Sequence, residues 1–304
     1  MRILIYGAGV IGCLYATLFS KAGYNTTIYA RGKRLESLEK DGLLYQNGDE
    51  INSANVTVIN KLHKDDIFDY IFLTVRENQL HQALTELKDN DSPNIVTMVN
   101  SLEKYEIWEE ICGKDRIIPA FPGAGGSFQG DVLNASLTPW IIQPTTFAEI
   151  SGEITSRIQE LAAIFRKSKI PYQIVKDMHA WQLCHLAMVV PIADAYYEAD
   201  NPEKAGKDYK LMSKTAKRMK LNYRNLHRIG YTLSPKKMNL FRLVPGPILS
   251  IVLSLVFLSN FGNKFMYQHS MNAPDEMREL HRQFYRYVCK RQTMRSTLKL
   301  TPLL

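Results

Sequence analysis

Between Gly7 and Gly12 the chain reads GAGVIG, directly after the apolar run RILIY and at the opening of the helix-spaced stretch VIGCLYATLFSKAG. Glycines at these three positions suit one kind of chemistry, the cradling of a pyrophosphate. The first, Gly7, allows a tight turn out of a strand. Gly9 lets a phosphate come up against bare backbone, and Gly12 lets the helix pack close to the strand. The N–H groups along Ala8, Val10 and Ile11, at the positive end of a helix, would then face the anion. Position within a strand–turn–helix unit is what makes the motif specific; the same glycines in an isolated loop would mean little.

The kind of dinucleotide is written about 20 residues further on, where an NAD site carries an acid that accepts from the ribose 2′-hydroxyl. Here the second strand ends in IYARGKR, with Arg31, Lys33 and Arg34 and no acid. Arginine can grip a phosphate bidentately, so these cations favour NADP over NAD.

These groups need a scaffold that brings strand ends together. After RILIY, the segments YNTTIYA, NVTVIN, DYIFLTV and NIVTMVN have strand character, and VIGCLYATLFSKAG, LESLEKDGL and QLHQALTEL have helical spacing. This alternation predicts an α/β fold, a Rossmann-type doubly wound parallel sheet with helices on both faces. From about residue 178 long helical patterns take over. We therefore expect an NADP-binding domain over 1–176 and an all-helical domain over 177–304. The glycine-rich stretch FPGAGGSFQG (121–130) lacks the GK[ST] of a P-loop and reads as a mobile loop beside the cofactor.

Composition narrows the alternatives. With 304 residues, 45% hydrophobic and 22% charged, the chain is of two-domain, globular type. Cys13, Cys112, Cys184 and Cys289 have neither ligand spacing nor a disulfide pattern, so no metal is expected. No signal-peptide pattern opens the chain, and a cytoplasmic setting is expected. Residues 201–304 hold 20 Lys and Arg against 5 Asp and Glu, a balance of +15, which against the overall +8 leaves −7 for the rest. Much of that charge falls on a helix from Gly206 to Arg228. Lys207, Lys210, Lys214, Lys217, Arg224 and Arg228 lie opposite an apolar stripe of Met212, Ala216, Met219, Tyr223 and Leu226. A solvated face is the ordinary reading, and a module binding anionic partners is the rival one. Zinc spacing and RNP-type aromatics are absent, so no nucleic acid is expected. The apolar run Ile248–Leu258 is shorter than the ~20 residues of a membrane span and reads as a buried helix entered through Pro245 and Pro247, with a membrane-inserted hairpin as the alternative.

GAGVIG, ARGKR, LTVRENQL, MVNSLEK and PDEMRELHRQF occur in the order and approximate spacing of the ketopantoate reductase family, which the chain resembles along nearly its whole length. The resemblance implies an N-terminal Rossmann domain, a helical C-terminal domain and NADPH-dependent reduction of ketopantoate to pantoate in pantothenate synthesis. A related 2-oxo acid is the wider substrate class, and a homodimer the candidate assembly. Arg76 stands where the family has a lysine, Gln79 falls in the same loop, and Asn100 matches an asparagine beside nicotinamide and substrate. The match fails in HAWQLCHLAMVVPIADA (179–195). Anchored on Trp181, the family's catalytic lysine and two asparagines fall on Leu183, Ala187 and Pro191, and its substrate-binding glutamate falls on Gln283. Leucine cannot protonate a forming alkoxide. Either another group serves, with His185, Lys176, His179 or His269 as candidate donors or Arg76 polarising the carbonyl, or the dinucleotide fold persists without ketopantoate chemistry.

Overall fold

The computed structural model describes residues 1–300, with side chains as far as Thr293; the last four positions of the expected helical domain lie outside the described residues. Two compact units divide after Met178, residues Met1–Met178 and His179–Leu304.

The first unit is built on an eight-stranded sheet. Its strands are β1 (Arg2–Tyr6), β2 (Asn25–Tyr29), β5 (Thr57–Ile59), β6 (Tyr70–Leu73), β7 (Ile95–Thr97), β8 (Ile117–Phe121), β11 (Thr145–Phe147) and β12 (Tyr172–Ile174). Their order is β12-β11-β8-β7-β6-β1-β2-β5. From β8 to β5 every pairing is parallel, while β11 runs antiparallel to β8. Parallel strands covered on both faces carry unbroken apolar runs, and β6 (YIFL) and β7 (IVT) are buried at every position. The connecting helices are α1 (Val10–Lys21), α2 (Gly32–Asp41), α3 (Leu80–Leu87), α4 (Tyr105–Cys112) and α5 (Ser156–Lys167). Phe19 of α1, Phe72 of β6 and Phe165 of α5 meet in the core with ring centroids 4.8–6.2 Å apart.

A second sheet was not anticipated. Strands β3 (Leu43–Asn47), β4 (Glu50–Ala54), β9 (Ala124–Gln129) and β10 (Val132–Leu137) form it in the order β4-β3-β10-β9. The stretch 121–130, expected as a mobile loop, is largely strand β9, paired in register with β10. Its glycines are there for packing. A Cβ on Gly126 would lie 2.3 Å from the Asn134 carbonyl oxygen, and one on Gly123 would lie 2.5 Å from the Thr145 nitrogen.

One guanidinium closes the end of the main sheet near α3 and α4. Arg116 donates through Nη1 to the carbonyls of Leu87 (3.1 Å) and Cys112 (2.5 Å), and through Nη2 to Asn90 (2.6 Å) and Ser92 (2.9 Å), with Nε also on Ser92 (3.0 Å). Leu87 and Cys112 are the last residues of α3 and α4, so the cation satisfies carbonyls that helix ends leave open.

The second unit is helical. Its main elements are α6 (Met178–Glu198), α7 (Tyr209–Arg228), α8 (Asn239–Leu243), α9 (Gly246–Phe257) and a last helix, Pro274–Leu300. The α7 stripe of Met212, Ala216, Met219, Tyr223 and Leu226 is fully buried. Part of its basic face is tied down: Lys214 and Arg218 both pair with Glu198, and Lys220 donates to the carbonyls of Arg242 and Val244. Helix α9 departs from expectation, because only one face is buried. Leu249, Leu253 and Phe257 pack inward, whereas Ile248, Ile251, Val252 and Leu255 are exposed. The single layer formed by α7 and the turn at Gly206, whose carbonyl accepts from Ser254 Oγ, covers one side of it. Among the described residues no single helix is long and apolar enough to cross a membrane; Lys236–Leu243 and Gly246–Phe257 meet the length and composition together but are bent by 117°.

Candidate functional site

The three glycines after β1 do different work. Gly7 adopts φ +115, and a Cβ there would sit 2.8 Å from the Thr74 carbonyl oxygen. At Gly12 a Cβ would lie 2.0 Å from the Gly7 carbonyl oxygen and 2.5 Å from Thr74 Oγ1, so helix α1 could not pack against the turn with any larger residue. Thr74 holds the turn from the other side, donating from Oγ1 to the Gly7 carbonyl at 2.8 Å. Gly9 is different: nothing lies within 4 Å of where its Cβ would be. It is the N-cap of α1, with no side chain capping the helix and no acid in the first turn. The cradle is open at the one glycine whose missing side chain a ligand would exploit, and the helix start beside it presents donors and partial positive charge.

The topology lines up the remaining candidates. Gly7–Gly12 follow β1, Arg31 follows β2, Arg76 and Gln79 follow β6, and Asn100 follows β7. These four strands are contiguous and mutually parallel in the order β7-β6-β1-β2, so all of these residues emerge along the same carboxyl edge of the sheet. At about 4.8 Å per strand the row extends roughly 14 Å. The chain leaves β1 toward β2 on one side and returns through β6 on the other, which makes this edge the switch point where open α/β sheets take ligands.

Along that row, Asn100 is buried, and its Oδ1 has no hydrogen-bond partner among the described residues. A buried amide oxygen left unpaired costs on the order of 1–3 kcal/mol unless something supplies a donor. Arg76 is exposed at the cap of a short 3-10 turn, Glu77–Gln79, and its backbone N–H donates to Gln79 Oε1 at 3.4 Å.

The cations after β2 are not equivalent. Arg34 is held against the second sheet, its guanidinium 4.2 Å from the Phe128 ring centroid and 3.6 Å from the Asp131 carboxylate. Arg31 is half-exposed; it donates from Nε to Tyr29 Oη and from Nη2 to Tyr6 Oη, both at 2.8 Å, and forms an ion pair with Glu86 of α3. Tyr6 and Tyr29, the last residues of β1 and β2, stack with centroids 4.5 Å apart. Sequence reading missed Glu86, which lies 55 positions from Arg31 with no local cue. The two tyrosines had a cue in their matching places just before the GAG and ARG turns.

The candidates for proton donation are spread out. Lys176 is exposed after edge strand β12, with β11 and β8 lying between that strand and β7, after which Asn100 follows. In the second unit His185 is buried, its ring stacked on Trp181 at 5.2 Å between centroids and 7° between planes. Burial, with a smaller contribution from His269, pushes its pKa down to about 3. The imidazolium form, the one with a proton to deliver, is therefore unpopulated near neutrality, which argues against the acid role considered for it. Leu183 and Ala187 are fully buried. Gln283 donates to Glu279 Oε1 at 2.9 Å.

Residues 3–132 match the family described as ketopantoate reductase PanE/ApbA. The 2-dehydropantoate 2-reductase of Archaeoglobus fulgidus is 27% identical over 177 residues, covering 58% of this chain and 57% of that protein. The chain spans about half the length of the curated relatives it matches. Among solved structures, the 2-dehydropantoate 2-reductase of Porphyromonas gingivalis aligns over 89% of this chain and 97% of its own with a TM-score of 0.60 at 15% identity. A D-mandelate dehydrogenase solved with NADH aligns over 94% and 92% with a TM-score of 0.66, also at 15% identity. At such identity these structures speak for the fold.

Proposed function

We propose that this divergent member of the ketopantoate reductase family is an NADPH-dependent oxidoreductase that reduces a 2-oxo acid. The observation that carries the reading is the row of GAGVIG, Arg31, Arg76 and Asn100 along one carboxyl edge, with open space over Gly9. A bound nicotinamide cofactor supplies hydride; the protein supplies position and charge. Gly9 admits the pyrophosphate to the backbone, and the first-turn N–H groups of α1 hold it. Arg31 meets the 2′-phosphate. Arg76 offers a cation to phosphates or to the substrate carboxylate, and the unpaired Asn100 amide oxygen accepts a donor from the bound ligands.

The buried, apolar Leu183 and Ala187 occupy positions where the family resemblance places a lysine and an asparagine, and neither side chain can give a proton to a forming alkoxide or a hydrogen bond to ketopantoate. We expect the purified protein to bind NADPH yet turn over ketopantoate poorly, well below the 1–10³ per second typical of enzymes, in roughly the manner of an enzyme lacking its general acid. NADPH oxidation against ketopantoate and a panel of 2-oxo acids tests this directly. Ordinary turnover of ketopantoate would overturn the substrate argument; no binding of either dinucleotide would overturn the whole reading.

Cofactor preference has its own test. Arg31→Ala should weaken NADPH about tenfold, roughly 1.4 kcal/mol, and leave NADH little changed, since only the former brings a phosphate to that guanidinium. Titration calorimetry reads both constants. Equal loss for both cofactors would place Arg31 outside the 2′-phosphate site.

A further inference from the structure

We infer that Glu86, on α3, is a specificity-determining residue that competes with the ribose 2′-phosphate for Arg31 and so narrows the preference for NADPH over NADH; the inference rests on the dinucleotide reading above. The second strand ends without an acid, yet the fold brings one to the same place from elsewhere in the chain. Glu86 Oε2 takes up Arg31 Nη2 as an ion pair and also accepts from Tyr6 Oη, and its Oε1 accepts from Gln82 Nε2 at 3.2 Å. Arg31 Nε is engaged by Tyr29, while Nη1 carries no partner among the described residues. The fork is thus closed on its Nη2 side and open on its Nη1 side.

The electrostatic consequence follows from charge counting. A guanidinium alone offers +1 to an arriving phosphate; the Arg31–Glu86 pair offers a net charge of zero and places a carboxylate next to the incoming dianion. Phosphate must displace Glu86 from Nη2 or share the guanidinium with it, and repulsion between the two anions lowers affinity in either case. NADH brings a 2′-hydroxyl instead. A hydroxyl donates to a carboxylate, the same contact that an acid at the end of the second strand makes in an NAD site. One side chain therefore weakens one cofactor and accommodates the other. Both partners are partly exposed, 49% for Arg31 and 33% for Glu86, so the ion pair can open without unfolding anything.

Glu86→Gln keeps the shape and the contact with Tyr6 but removes the charge. Dissociation constants for NADPH and NADH, measured by calorimetry on the full chain, should show the NADPH preference rising at least about fivefold over the unmodified protein. In an Arg31→Ala background the competition for Nη2 is gone and only direct repulsion of the phosphate and the 2′-hydroxyl contact remain, so the same substitution should raise the ratio by less than it does in the unmodified protein. Glu86→Ala, at an exposed turn of a helix, provides an independent second variant. An unchanged ratio in both variants, alongside Arg31-dependent NADPH binding, would overturn the role of Glu86 and leave the cofactor assignment standing. Loss of Arg31 dependence in the unmodified chain would instead strike at the assignment itself.

Discussion

Gly9→Val is expected to weaken dinucleotide binding at least about a hundredfold, or ~2.7 kcal/mol, while the protein stays folded. The asymmetry among the three glycines underlies this. A Cβ at Gly9 meets nothing within 4 Å in the protein, so the fold has room for a branch there; valine's branched carbons would occupy the space the pyrophosphate needs. The backbone there, φ −76 and ψ −175, is one that valine adopts readily. Gly12→Ala makes the contrast, since its Cβ would lie 2.0 Å from the Gly7 oxygen and the turn itself must give way. Calorimetry and thermal unfolding, run on both variants, separate the two outcomes: binding lost with stability kept for Gly9→Val, stability lost first for Gly12→Ala. Retained NADPH binding in Gly9→Val would mean the loop does not hold the cofactor.

The second expectation concerns pH. His185 has a folded-state pKa of about 3 against an ordinary value of 6.5, the result of burial and, to a lesser extent, His269. The unfolded chain takes up a proton as pH falls through 6.5 and the folded chain refuses it until pH nears 3. Stability associated with this group is thus complete above pH 6.5 and lost as pH falls toward 3, at up to about 1.4 kcal/mol per pH unit. Between pH 7 and pH 5 the loss from this one side chain comes to roughly 2 kcal/mol. Urea unfolding followed by helical circular dichroism at the two pH values should show it, and His185→Gln should remove about that much of the pH dependence. A variant with the same pH dependence as the unmodified protein would show that the histidine accepts its proton without unfolding.

The parallel sheet could be read from the sequence because its strands are continuous apolar runs separated by helical spacing, a pattern set by burial on both faces. The second sheet could not be read in the same way. Its strands β3 and β4 alternate weakly and are half-exposed, and the clearest local signal, Asn47-Gly48 with Gly48 at φ +63, marks a tight hairpin that stands out only once those flanks are counted as strands. Strand β9 was hidden by composition: glycines suggest a loop, yet here they let β9 lie close against Asn134 and Ala135 of β10. At the site, GAGVIG and the basic run after β2 announce themselves because both are local. What Arg31 is bonded to depends on α3, which returns to the end of β2 only in three dimensions. His185 shows the same limit from another side, since its residue type offers an acid at neutral pH and the packing around it withdraws that offer.

The cluster at Arg116 ties together parts of the chain that are otherwise independent. Four residues surrender their carbonyl oxygens to one planar group, among them the closing residues of α3 and α4, both eight residues long. Helices of that length do not persist alone in water. With a shared cation at their negative ends, unwinding the last turn of either one strands donors that the other has helped to orient, so the two ends open together or not at all. Lysine, a point charge with three donors and no planar fork, could not hold four carbonyls in that arrangement. Because α3 also carries Glu86, firmness at one arginine sets how steadily a carboxylate is presented to Arg31. Cofactor choice, on this view, is anchored from a point that no dinucleotide would ever touch.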